Sequence, residues 1–311
     1  MNILLPKTIS IAALGPGTTI LALDTAAGEV AWLPSGNYAE SDKRVYDNKV
    51  YTCVQAHAGA ADKRPDRASA FWRFTSPTNC AAPFDNYLFT KARRLGSLTY
   101  EIPGVFIDGV ALYGLEADNL LLRVVDGVTG SDLIEPIDSS LWAQAFGEFE
   151  YLFGELARAT HYTLKNLPIH PNVRVLITLS RNDPEVEAAV GFISVGNWKT
   201  ILYPIPGVPS VEYGVEARTK DYSLTEQNKD GTYTEYEGRK AKDISLSCVI
   251  DSRQAPFVDA LFSQISGKTV AIEVMGTPEF RHLATVGKVS GSVVNTGYGE
   301  ARVQVEIEGN V

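Results

Sequence analysis

Val173-Arg174-Val175-Leu176-Ile177-Thr178-Leu179 carries the clearest periodicity in the chain. Val173, Val175, Ile177 and Leu179 take every second position, with Arg174, Leu176 and Thr178 between them. Successive side chains of an extended chain point to opposite faces. This alternation therefore gives a strand with one buried face and one face toward solvent, as an antiparallel sheet requires. Val303-Gln304-Val305-Glu306-Ile307-Glu308 repeats the pattern near the other end of the sequence. The expected fold class is mainly β: antiparallel sandwich or barrel-like domains with one short helix and a small inserted β module.

Outward from residue 173, segments 97–102, 109–115, 119–125 and 162–167 read as further strands, and Asp126-Gly127 supplies the dipeptide of a tight turn. Segments 10–13 and 19–23 are strand candidates separated by Gly15-Pro16-Gly17. Toward the other end, segments 211–217, 244–249, 269–274, 283–290 and 301–308 are strand-like, and Asp230-Gly231 reads as a hairpin tip between 224–228 and 232–236. One helix is expected over 255–266. Pro256 stands near its start, where a missing N–H is tolerated, Phe257, Leu261 and Ile265 recur on one face, and Gly267 follows as a stop. Segment 141–156 reads both ways. Trp142, Phe146, Phe149 and Phe153 keep helical spacing, whereas Phe149-Glu150-Tyr151-Leu152-Phe153 alternates like a strand.

Pro204, Pro206 and Pro209 exclude a central strand over 201–210 and mark an interdomain connector or an extended arm. The division that follows is an N-terminal β domain (1–31 and 77–200), a module inserted at 32–76, the connector 201–210, and a C-terminal β domain (211–311) carrying the helix. No repeat of solenoid length is visible.

The charge argues about partners. With 28 Lys and Arg against 37 Asp and Glu, the formal charge is -9, and Lys91-Ala92-Arg93-Arg94 is a short cluster, not a basic block. A protein that coats nucleic acid gathers positive charge on one face, so direct nucleic-acid binding is not expected. The apolar runs 20–23 and 120–125 are too short to span a bilayer as helices, and residues 1–7 lack the basic leader of a signal peptide. Cytoplasmic accumulation in the producing cell is the expectation.

A catalytic constellation is hard to find. His57, His161, His170 and His282 are scattered with no metal-binding spacing. Cys53, Cys80 and Cys248 form no CxxC pair; three reduced, buried thiols are the simpler reading, with a Cys53–Cys80 bond as the alternative. The serines lack a nucleophile elbow, 191–198 lacks a phosphate-cradling pattern, and Asp230-Gly231 lacks the ligands of a calcium loop. A glycosidase needs two facing carboxylates, for which Glu148, Glu150 and Glu155 are the nearest group. The chain is expected not to be an enzyme and to need no metal or other cofactor.

What stands out is an aromatic block. Trp32, Tyr38, Tyr46, Tyr51, Phe71 and Trp72 fall close together with few aliphatic residues between them. Arg44-Val45-Tyr46 and Val50-Tyr51-Thr52-Cys53-Val54 flank Asp47-Asn48-Lys49 as a hairpin would. Aromatic residues in so small a module either form its core or stand on its surface as platforms.

The stretch from Trp32-Leu33-Pro34-Ser35-Gly36-Asn37-Tyr38 through Arg44 to Cys53, then Gln55-Ala56-His57, Pro65 and Phe71-Trp72-Arg73, resembles a family 5/12 carbohydrate-binding module, the small chitin-binding type. It departs from that family in 37–42, where a Gly-Asp turn is usual, and in the charged insert Asp62-Lys63-Arg64. The resemblance implies a glycan or partner surface carried by Trp32, Tyr38, Tyr51, His57 and Trp72. Beyond the module, Pro77-Thr78-Asn79 with Phe84-Asp85, Tyr213-Gly214 with Lys220-Asp221-Tyr222-Ser223, segment 239–245 and the closing 303–309 resemble tail-tip proteins of long-tailed bacteriophages.

That second resemblance implies a structural virion protein of the tail tip or baseplate, akin to a distal tail protein and assembled in the host cytoplasm. It would self-associate in a three-fold or six-fold ring and join tail tube, hub and fibre proteins. A host-surface carbohydrate-binding adhesin is the alternative, and a glycan depolymerase is the more distant one.

Overall fold

A computed structural model of the chain describes residues 1–142, 147–154, 157–201, 210–228, 230–275 and 278–310. The protein is mainly β and divides into two compact units, one of residues 7–195 and one of residues 1–6 with 196–311.

The larger unit is built on the strand that the sequence makes plainest. Val173–Ser180 lies in an antiparallel sheet ordered Ile137–Ser140, Asn119–Asp126, Val173–Ser180, Ser97–Gly104. Val173, Val175, Ile177 and Leu179 are buried, and the residues between them are half-buried. Leu120, Leu122 and Val124 on one neighbour and Leu98, Tyr100 and Ile102 on the other complete that face. Val110 and Leu112 of Gly109–Tyr113, with Ile193 and Val195, belong to the same core. Gly109–Tyr113 pairs with His161–Leu164, so two sheets share one apolar interior.

The solvent-side face of this sheet is tied down by one carboxylate. Glu101 is 7% exposed and pairs with the Arg174 guanidinium, while its Oε2 accepts from the Gly17 N–H at 2.6 Å. Gly15 N–H donates to the Glu101 carbonyl at 2.8 Å, and a Cβ on either glycine would meet the Glu101 side chain. The Gly15-Pro16-Gly17 break is thus a close approach of backbone to a buried charge. Segment 10–13 forms a 3₁₀ turn over Ile11–Ala13 and 19–23 is not a strand, in contrast to the extended reading of both. After Asp126 the chain turns over four residues with Gly130 at φ 73°, not over the Asp-Gly pair alone.

In the smaller unit, Asn2–Pro6 is a strand, although its apolar run suggests little by itself. It lies between residues 196–200 and Thr269–Glu273, and Ile3 and Leu4 are fully buried. The order continues through Ala284–Asn295, Glu300–Gly309 and Lys240–Asp251 to the edge strand Glu216–Asp221. The first six residues therefore complete a sheet formed mostly by the last hundred or so. A division that keeps 1–31 with 77–200 misses this, because strand pairing is set by long-range register and not by proximity in sequence.

The helix forms over Ala255–Ile265, with Pro256 in its first turn and Gly267 at φ 73° after it. Ala255, Val258, Leu261, Phe262 and Ile265 face the core, and Phe257 is 51% exposed. Phe257 thus stands off the face predicted for it, which turns by roughly one residue around Leu261 and Ile265. In the larger unit, Glu148–Phe153 is a short helix, which settles part of the open reading of 141–156; Phe146, Glu155 and Leu156 lie outside the described residues. The proline-rich connector likewise lies outside them apart from Ile201 and Ser210.

Candidate functional site

The aromatic block folds as a small β module within the larger unit. Lys43–Tyr46 and Lys49–Cys53 form the expected hairpin, with Asp47 at φ 49° and Asn48 at φ 56°. Two successive left-handed residues are what a type I′ turn needs, and Asp and Asn tolerate that conformation better than most. Trp72–Pro77 adds a third strand beside Lys49–Cys53, with a register shift between Val50 and Tyr51. Asn37–Tyr38 pairs separately with His57–Ala58.

The five candidate ligand residues are brought together, but as packing. Tyr38, Tyr51, Cys53 and Trp72 are the buried core of the module, and Trp72 is only 2% exposed. Tyr38 and Trp72 meet edge to face, with ring centroids 5.0 Å apart. His57 stands at 90° to Trp72 with centroids 5.3 Å apart and lies 4.6 Å from Phe71. Trp32 is half-buried and packs edge-on against Tyr46 at 5.6 Å. Edge-to-face contacts of this kind stabilise a core, whereas a sugar platform needs a ring face open to solvent.

Their polar ends turn inward as well. Trp72 Nε1 donates to the Lys63 carbonyl at 3.0 Å, and the Tyr38 hydroxyl accepts from the Leu33 N–H at 2.8 Å. Cations cover outer edges of the cluster: the Arg64 guanidinium lies 4.9 Å from the Tyr46 ring centre and the Lys63 ammonium 4.8 Å from that of Phe71. Tyr38, Tyr51 and Trp72 are accordingly the module's core and present no ring face to a ligand, while Trp32 and His57 are half-buried beside them.

Cys53 and His57 are the one pair here that resembles a nucleophile and its base. Cys53 Sγ lies 3.7 Å from His57 Nδ1, yet that nitrogen is also 2.9 Å from the Gln55 carbonyl oxygen. A carbonyl can only accept, so Nδ1 carries the proton and has no lone pair to take one from the thiol. Burial also pushes the Cys53 thiol up from its ordinary value. Both effects oppose a thiolate. All three cysteines are free and buried.

The aromatic residues that do reach solvent lie elsewhere on this unit. Phe74 on the third strand, and Tyr87 and Phe89 on the loop that follows the module, are 53%, 50% and 37% exposed. They line a groove of about 400 Å³ that also takes in the Asp47-Asn48 turn, Lys49 and Asp85. Asp85 shapes the loop: its Oδ1 accepts from the Tyr87 N–H at 2.7 Å and its Oδ2 from the Thr90 hydroxyl at 2.6 Å. Burial raises the Asp85 carboxyl above its ordinary value, against these two hydrogen bonds that lower it. A sequence signal for this groove exists in Asp85-Asn86-Tyr87-Leu88-Phe89, an Asx turn carrying alternate aromatics.

Exposed apolar side chains mark two further places. On the helix Glu148–Phe153, Phe149, Tyr151, Leu152 and Phe153 are each at least 65% exposed. In the smaller unit, Leu224–Gln227 and Tyr233–Tyr236 form the hairpin that Asp230-Gly231 announces. Leu224 faces Tyr236 across it, and both are more than half exposed, as is Tyr233. Among the described residues, no helix is long and apolar enough to cross a membrane. Comparison of the chain with protein-family models, with curated proteins and with solved structures gave no match.

Proposed function

We propose that this protein is a structural subunit of a larger assembly, and that the assembly is the tail tip or baseplate of a long-tailed bacteriophage. The observation that carries the first part is the hairpin Leu224–Gln227 with Tyr233–Tyr236. It is a two-stranded sheet with nearly every residue exposed, bearing Leu224, Tyr233 and Tyr236. A lone hairpin is marginal in water, and one that displays a leucine and two tyrosines gains stability by laying them against a partner. The neighbouring strand Glu216–Asp221 ends its sheet with all six residues exposed, so its outer backbone groups offer pairing to another chain.

The tail-tip identity rests on the ordered sequence resemblance running from Trp32 to Gly309. In this reading the chain performs no chemistry; it repeats around a symmetric ring and contacts tube, hub and fibre proteins. The inserted module, with Tyr38, Tyr51 and Trp72 turned inward, is a rigid decoration of that ring.

The test is the native mass of the isolated protein at micromolar concentration, beside that of Leu224→Ser/Tyr236→Ser. A discrete ring of three or six copies that falls to monomer in the double variant is the expected result. A wild-type chain that stays monomeric alone and with phage tail proteins refutes the assignment. Antibody labelling that finds the chain away from the tail tip refutes the identity while sparing the assembly role.

A further inference from the structure

We propose that the groove lined by Phe74, Tyr87 and Phe89 binds a neutral pyranose ring, as one unit of a glycan. This goes beyond the structural role, and it places ligand binding at residues other than the buried aromatic core.

Three features select that ligand class. The first is ring exposure. Phe74 leans edge-on against Tyr51 at 6.0 Å and leaves 53% of its own surface uncovered, while Tyr87 and Phe89 stand 5.3 Å apart at 46°. The open ring surfaces can take the C–H face of a sugar. The apolar surface they leave in water is a standing cost that a ligand would relieve.

The second is the polar complement. Asp85 uses one bond on each carboxylate oxygen to hold its own loop. A carboxylate has about four acceptor positions, so capacity remains for a pair of neighbouring hydroxyls. Asn48 at the hairpin tip brings an amide that both donates and accepts, and the Asp47-Asn48 backbone is fixed by its turn. A pocket meant for a purely apolar side chain would not carry these acceptors, because covering them without partners is unfavourable.

The third is charge. Asp47 and Asp85 face the groove against a single cation, Lys49. Two carboxylates against one ammonium repel an acidic sugar or a phosphate and leave a neutral one. The walls are also set in advance: one comes from the sheet of the module and the other from a loop pinned by Asp85, so little ordering remains to oppose binding. The volume of about 400 Å³ lies within the range of small-ligand sites.

The test is ligand-observed NMR on the full chain with neutral trisaccharides of glucose, galactose, mannose, rhamnose and N-acetylglucosamine, each at about 10 mM, and with sialyllactose as the acidic probe. At least one neutral probe is expected to bind with a Kd of about 1 mM, and sialyllactose more weakly. Phe74→Ala and Tyr87→Ala should each weaken binding about tenfold or more. Phe74→Leu, which keeps apolar bulk without a ring, should weaken it as much. Silence from every neutral probe overturns the proposal, as does binding that survives both alanine variants or is kept by Phe74→Leu. A change of oligomeric state in these variants with saccharide binding unaltered would make the groove a protein interface instead. Because all the substituted side chains are exposed, loss of fold does not confuse the readout.

Discussion

Replacing Trp72 by alanine separates the two roles open to an aromatic block. At 2% exposure the side chain contributes roughly 200 Å² of buried surface, worth about 5 kcal/mol at 25 cal/mol per Å². Alanine keeps part of this, and buried Trp→Ala changes cost about 3–5 kcal/mol in practice. The Lys63 carbonyl would also lose the indole N–H at 3.0 Å, an effect of about 1 kcal/mol. A destabilisation of about 4 kcal/mol falls on a module whose buried core has only Tyr38, Tyr51 and Cys53 besides. Because the chain has more than one compact unit, a single melting temperature would mix their transitions. Native-state hydrogen exchange reads the module alone. Amides of Lys49–Cys53 and of residues 72–76 are expected to lose protection by at least about 2 kcal/mol, while Val173–Ser180 stays as it was. If protection in the module is unchanged and saccharide binding disappears, Trp72 is a ligand contact and the core argument fails.

Two further outcomes test the packing and the charges. On the helix Ala255–Ile265, Phe262→Ala should cost about 3–4 kcal/mol by urea denaturation, whereas Phe257→Ala should stay within about 0.5 kcal/mol, since only Phe262 is buried; equal costs would show that the buried face is misplaced. Asp251 is held at about 2 by the Arg253 guanidinium and by the Arg253 N–H that it caps. Its folded value lies below the ordinary 3.8, so its contribution to stability is complete above that pH and is lost as pH falls toward about 2. Carboxyl-detected NMR titration should place the midpoint near 2 and, in Arg253→Ala, move it toward 3.8; a wild-type midpoint at 3.8 would refute the pairing.

Much of the fold was legible because its signals are local. The alternation of Val173 to Leu179 is a statement about which face of a strand is wet, and it holds whatever the strand pairs with. The same is true of Asp47-Asn48 and Asp230-Gly231, where turn chemistry fixes the hairpin, and of Pro256 and Gly267, which bracket the helix. The sequence could also gather Trp32, Tyr38, Tyr51, His57 and Trp72 into one module, since they are close along the chain.

What sequence alone could not decide was which way those residues face and what lies beside them. Trp72 and Phe74 are two residues apart on one strand, yet one is buried and the other half exposed, since the first sits opposite buried Cys53 in the module core and the second opposite Tyr51. Asn2–Pro6 joined strands some two hundred residues away, and Gly15 and Gly17 met the charge of Glu101; both depend on contacts that no window along the chain contains. Composition and period settle that a residue will be in a sheet, for these follow from backbone geometry and the hydrophobic effect. Only the tertiary pairing settled that the aromatic block would be consumed as core and that a different set of rings, Phe74, Tyr87 and Phe89, would be left facing water.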